Sequence, residues 1–318
     1  TTGDRNTALG TFSLENNTTG NDNTAIGRNT LPANTTGASN TAVGRDALAA
    51  NTTASNNTAV GYYALYQNTT GTTNNAFGRG ALGAVTTADS NSAFGDYALQ
   101  ANTAAANSAF GYRALYTNTT GVNLVAVGKN ALYANTTGSS NTAIGMQSLD
   151  ANTTGGNNSA VGNDSLSANT TGDNNTAVGS DALGNSSTGN RNTAVGKGAL
   201  LTNTTGSDNT AFGYAALDAQ STTSDNSAFG AYALTKNTTG VRNSGLGRAT
   251  LEENTTGDDN TAVGHYALLS NTTGTENVSV GSFALDANTT TSYNTAVGYN
   301  ALTANIGDYN TAVGNIAL

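Results

Sequence analysis

The apolar residues of this chain form no long stripes; they fall in two short pieces that repeat. One is an alternation closing on a glycine, as in Asn40-Thr41-Ala42-Val43-Gly44, and the other is the pair Ala47-Leu48 that follows it. The closing glycine recurs nineteen times from Gly10 to Gly314, at intervals of 17 residues, with two intervals of 16 from Gly95 to Gly111 and from Gly298 to Gly314. Counted from it, a Leu stands four residues later in every copy, Leu14 to Leu318, and the residue before that Leu is always small. Val, Ile, Leu or Phe precedes the glycine throughout. Alternation over four residues, bounded by Asn and Gly, predicts a strand. A helical-repeat unit would need about 33 residues or more, and Gly, Asn and Thr at this density disfavour helix. The pattern therefore predicts an all-β fold, a parallel β-solenoid of about nineteen 17-residue coils, running through 1–318 as a single continuous repeat domain. The constant apolar positions are expected to face inward, and the Ala-Leu pair, as in Ala64-Leu65, to begin a second strand.

The constant polar positions sharpen this picture. Asn stands four before the glycine in eighteen copies, with Leu124 the departure, and seven after it in fifteen of eighteen, with Val85, Ser186 and Gln220 as replacements. Stacked coils would place these amides one above another every ~4.8 Å, close enough for hydrogen-bonded ladders along the axis. Asp at the same places would stack like charges. Both short intervals lose a residue around the recurring Asn-Thr-Thr-Gly, which predicts a turn that tolerates deletion. All thirteen Tyr lie at variable places, and seven of the eleven basic residues stand just one or two after the glycine, which reads as the outer surface. Because Tyr is scattered over many coils, a single aromatic pocket is not expected. Each coil offers only about four apolar side chains, two of them usually Ala. That is a thin core for 17 ordered residues, so several chains packed around one axis, three for preference, are expected.

Composition adds mainly exclusions. Asn, Thr and Gly make up 142 of 318 residues, a bias that usually signals disorder, but here most of them have fixed places in the repeat. A net charge of −9, from 20 acidic and 11 basic residues, argues against a nucleic-acid partner. No Cys is present, so there is no disulfide scaffold or thiolate metal site. No apolar run approaches 18 residues, so no membrane-spanning segment is predicted. His265 is the single His, at a variable surface place with no partner for acid–base or nucleophilic work. Asp22, Asp89, Asp225 and Glu276 read as isolated turn residues, and the regular Asp of calcium-binding repeats is missing. An enzyme is not predicted, and no catalytic, cofactor-binding or metal residue is assigned. Thirteen Asn-Thr-Thr triplets are formally glycosylation sequons, but a turn plus an Asn ladder accounts for all of them.

The segment Asn-Thr-Ala-Val-Gly-x-x-Ala-Leu resembles the head repeat of YadA-like trimeric autotransporter adhesins, most closely at Val125-Ala126-Val127-Gly128 and Val278-Ser279-Val280-Gly281. It is also similar to repeats of phage tail fibres. The resemblance covers the whole chain. It implies a left-handed parallel β-roll, three chains per fibre, and an adhesive or spacer role outside the cell, on a cell surface or a virion appendage. The expected function is a structural and adhesive extracellular fibre, with further copies of itself as partners and a surface glycan or host receptor as target. A self-assembling filament polymer is the alternative, and an ice-binding Thr array a remote third. Because Thr1-Thr2-Gly3 starts within an Asn-Thr-Thr-Gly turn and Leu318 stops at the Leu position, the chain reads as a segment of a longer fibre.

Overall fold

A computed structural model describes residues 2–304 and 307–317. The readings placed on Thr1, on Asn305 as a ladder residue and on Leu318 as a core residue lie outside the described residues. The chain is all-β: nineteen parallel strands form a β-solenoid of about eighteen turns, and the described residues contain no helix. It divides into two compact units, Thr1–Asn157 and Asn158–Leu318. The first holds β1 (Thr7–Leu9), β2 (Thr24–Ile26), β3 (Thr41–Val43), β4 (Thr58–Val60), β5 (Asn75–Phe77), β6 (Ser92–Phe94), β7 (Ser108–Phe110), β8 (Val125–Val127) and β9 (Thr142–Ile144). The second holds β10 (Ser159–Val161), β11 (Thr176–Val178), β12 (Thr193–Val195), β13 (Thr210–Phe212), β14 (Ser227–Phe229), β15 (Ser244–Leu246), β16 (Thr261–Val263), β17 (Val278–Val280), β18 (Thr295–Val297) and β19 (Thr311–Val313).

Within each unit every strand pairs with the strand of the next turn, equivalent residue against equivalent residue: Thr41 with Thr58, Ala42 with Ala59, Val43 with Val60. The 16-residue intervals leave this register intact. Ser92 still faces Ser108 and Thr295 faces Thr311, so the missing residue is absorbed in the turn, as its sequence suggested.

There is one strand per turn of the solenoid. The Ala-Leu pair starts no second strand, because it lies between two consecutive tight turns. Ala47 N–H donates to the Gly44 carbonyl, and Asn51 N–H to that of Leu48. Leu48 itself has a φ of 50°, as do its equivalents within a few degrees. A left-handed residue breaks the side-to-side alternation of a strand, so Ala47 and Leu48, though adjacent, are both completely buried. Two other places per turn share this conformation, two and twelve after the motif glycine. Asn29, Asp46, Asp181, Asn56 and Asp208 occupy them at φ between 55° and 61°, and Asn and Asp are the residue types that accept it most readily. Tyr63 and Arg191 do so as well. Their N–H groups bond to the turn before, Tyr63 to the Arg45 carbonyl at 3.2 Å and Arg191 to that of Asp173 at 3.0 Å, and these bonds offset the conformational cost.

The core is narrower than expected. Between the first turn and the last, the middle residue of the strand (Ala except at Gly245 and Ser279), the small residue and the Leu are buried, as Ala126, Ala131 and Leu132 illustrate. Most of the rest of the interior is asparagine. Where Ala before the Leu gives way to a hydroxyl residue, its proton finds a carbonyl: Thr30 donates to Gly27 at 2.6 Å, Ser165 to Gly162 at 3.0 Å and Ser13 to Ala25 of the next turn at 2.9 Å.

The two Asn ladders form as the spacing predicts. Seven after the glycine, Asn34 Nδ2 donates to Asn17 Oδ1 at 2.9 Å, and Asn51 Nδ2 to Asn34 Oδ1 at 2.9 Å. Four before it, Asn40 N–H donates to Asn23 Oδ1 at 3.0 Å. The ladders meet at the Asn-Thr-Thr-Gly carbonyl: Gly37 O accepts from Asn23 at 2.8 Å and from Asn34 at 2.9 Å. At Val85, which is buried, the first ladder stops, and the buried Asn68 Oδ1 has no donor. Val85→Asn should supply one and extend the ladder, raising stability by about 1 kcal/mol. A chemical-denaturation midpoint unchanged or lowered by this substitution would show that the ladder does not contribute in this way.

Candidate functional site

The strands dictate which side chains reach the surface. With the middle Ala pointing inward, the two residues flanking it must point outward. The residue before the glycine is therefore exposed, contrary to the expectation that every constant apolar position faces the core. Ile144 is 40% exposed, Phe110 41%, Phe212 45% and Leu246 53%. In the first unit this apolar row runs from Leu9 to Ile144, and in the second from Val161 to Val313. Its aromatic members stack face to face, Phe77 on Phe94 with centroids 4.6 Å apart and Phe94 on Phe110 at 4.9 Å. Beside it runs a row from the other outward position of each strand, Thr or Ser except at Asn75, Val125 and Val278. Over β14 to β16 the two rows enclose an open trough of about 410 Å³, with Phe229, Leu246 and Val263 along one side and Ser227, Ser244 and Thr261 along the other. Sequence reasoning overlooked this face, although the parity of the alternation carries it. Thr and Val in Thr-Ala-Val share a side, so a buried Ala excludes a buried Val.

The other candidate residues fall away from this face. His265 is exposed, as expected, and rests on Tyr266 with ring centroids 3.8 Å apart. The acidic residues are less isolated than they looked, because the place twelve after the glycine becomes a charged column in the second unit. Along it Arg191 holds Asp208 and Arg242 holds Asp259, each through two bonds of 2.7 Å, with Asp225 and Glu276 next in line. These hydrogen bonds hold the Asp208 and Asp259 carboxyls below the usual carboxylate range. Both pairs are open to water and are screened. No group of three His, Asp or Glu suited to a metal occurs among the described residues. The sequon asparagines are all buried, twelve of the thirteen with no exposed surface at all, so no glycan can be attached to them while the wall is folded. Tyrosines scattered in sequence are gathered by stacking, as in Tyr116 on Tyr133 at 5.4 Å.

Compared with protein-family profiles, with curated proteins and with solved structures, the chain matches none.

Proposed function

We propose that this chain is a segment of a structural and adhesive extracellular fibre whose copies associate side by side through the outward face of the sheet. The observation that carries this reading is the unbroken apolar row on each unit. Soluble monomers rarely leave contiguous apolar surface of this extent uncovered, and such surface usually marks an interface. Association would bury the Val, Ile and Phe that the narrow core leaves outside, at about 25 cal/mol per Å² of apolar area. A β-roll of left-handed sense with three chains around one axis is the arrangement implied by the adhesin-like repeat. Repetition then multiplies weak surface contacts into firm attachment. An ice-binding plane built from the Asn-Thr-Thr threonines is less well supported, since their first hydroxyl is engaged within the wall, as in Thr18 Oγ1 to the Thr35 carbonyl at 2.9 Å.

Light scattering on the purified chain tests the proposal. A mass three times the 31.7 kDa of one chain is expected. Replacing Phe94, Phe110, Phe212 and Phe229 by Ser should shift it to the monomer with the circular dichroism spectrum unchanged. A wild-type chain that remains monomeric at high concentration would overturn side-by-side association, and open-ended assemblies would favour a filament polymer over a closed trimer.

A further inference from the structure

On another side of the first unit, the surface carries a cleft that the repeat itself does not require. The turn that follows β5 has glycine both two and five residues after its motif glycine, at Gly80 and Gly83, a pairing found in no other copy. The neighbouring turns fill the same two places with Tyr63 and Tyr66 on one side, and with Tyr97 and Gln100 on the other. The missing side chains leave an open cleft of about 220 Å³ floored by Gly80 and Gly83. Tyr97 leans over this floor, its ring carbons 2.9 and 3.1 Å from where a Gly80 Cβ would lie, and Gln100 lies above Gly83. Tyr66 stands edge-on to Tyr63 with centroids 4.6 Å apart and forms the opposite wall with it. Glycine alone does not make such a place. Gly198 occupies the equivalent position in the second unit, between Asp181 and Ala215, and nothing lies within 4 Å of its would-be Cβ.

We infer that this cleft binds one ring of a neutral pyranose sugar. The inference stands apart from side-by-side association, which uses the strand face. Three features select the ligand class. Aromatic rings on both walls offer apolar faces to the C–H side of a sugar ring, while their phenols reach its hydroxyls. The cation at the rim is already compensated: the Arg79 guanidinium lies over the Tyr97 ring, 4.6 Å from its centroid, and 3.8 Å from the Asp96 carboxylate. An anionic ligand therefore gains little there. Gln100 lines the cleft with an amide whose oxygen is buried and accepts no hydrogen bond within the chain, so a turn of the side chain presents an uncommitted acceptor to a sugar hydroxyl. The volume fits a single ring, below the ~300–1,000 Å³ of sites for larger organic ligands.

Saturation-transfer NMR on the full chain, with methyl β-D-glucopyranoside and methyl β-D-galactopyranoside as neutral probes and N-acetylneuraminic acid as the anionic one, tests this. At least one neutral glycoside should be saturated, and the signal should fall at least five-fold in Gly83→Tyr. That variant restores the side chain carried by Tyr66, Tyr116 and Tyr133 at this position and fills the cleft, and its melting curve should match the wild type. Gln100→Leu, which keeps the side-chain bulk and removes the acceptor, should weaken the signal independently of how Gly83→Tyr folds. No saturation of either neutral glycoside, saturation of the acid alone, or signals undiminished in both variants would overturn the inference.

Discussion

Gly111→Ala is expected to destabilise the first unit by about 3–5 kcal/mol, the sum of a backbone held where only glycine is comfortable and a steric overlap. The φ of Gly111 is 141°, and an added Cβ would lie 2.5 Å from the Gly128 carbonyl oxygen and 2.7 Å from its carbon. Neither contact can relax by a rotamer change, because both partners are backbone of the next turn. The motif glycine is present in all nineteen copies for this reason, and the strand ends there. Gly198→Ala is the matched control. Its φ of 66° is one that side chains such as Tyr63 and Asn29 adopt at the same place, and its surroundings are open, so the expected loss is about 1 kcal/mol or less. Denaturation midpoints for both, with amide exchange at β7 and β8, distinguish the two positions. Equal effects would mean that the close approach between turns is not what excludes a side chain.

The second large effect is a single-atom exchange inside the wall. Asn118 is completely buried. Its Nδ2 donates to Asn102 Oδ1 at 2.7 Å and to the Gly121 carbonyl at 2.9 Å, and its Oδ1 accepts from Asn135 at 2.8 Å. Asn118→Asp keeps the acceptor but turns a second carboxylate oxygen towards two other acceptors, at a completely buried place. At pH 7 the expected loss is ~3 kcal/mol or more. The sign of its pH dependence follows from the same geometry. Burial without a cation favours the protonated acid, so the folded pKa rises above the unfolded value of about 3.9. Between those two values the folded state holds the extra proton, so stability falls as pH rises and recovers in part towards pH 4. A deficit that does not change with pH would contradict this account.

Much of the fold was legible because one physical demand is written nineteen times. The position of each strand, the tolerance of the short turns and both ladders follow from Asn-Thr-Ala-Val-Gly and its spacing. The direction of the apolar residue before the glycine was missed because constancy was equated with burial. A residue can instead be constant because it faces outward in a row. The left-handed leucines were also hidden. Leu signals a core position in any context, and nothing in Ala47-Leu48 or Ala131-Leu132 separates the end of a strand from the corner between two turns. At the places where Asn and Asp share that conformation, their recurrence did carry a signal, and it was absorbed into a general expectation of turns. The aromatic cleft was illegible for a different reason. Tyr63 and Tyr97 lie 34 residues apart in sequence, and only the stacking of turns makes Gly80 and Gly83 a gap between them.

The amide ladders also run one way. Where Asn follows Asn at the place seven after the glycine, the side-chain amide reaches back to the preceding turn and has a second outlet in the carbonyl three residues ahead, as Asn51 has in Ala54 and Asn135 in Gly138. At Val85 and Gln220 an interruption therefore strands the oxygen left behind and not the next amide. Asn68 loses its donor at Val85 and Asn203 loses its own at Gln220, while Asn102 still donates to Ala104 and Asn237 to Gly240. A lone carbonyl-type acceptor is the milder of the two kinds of orphan. The wall thus behaves like a chain of links each hung from two hooks: a faulty link slackens its neighbour on one side only, and errors stay local instead of spreading through the repeat.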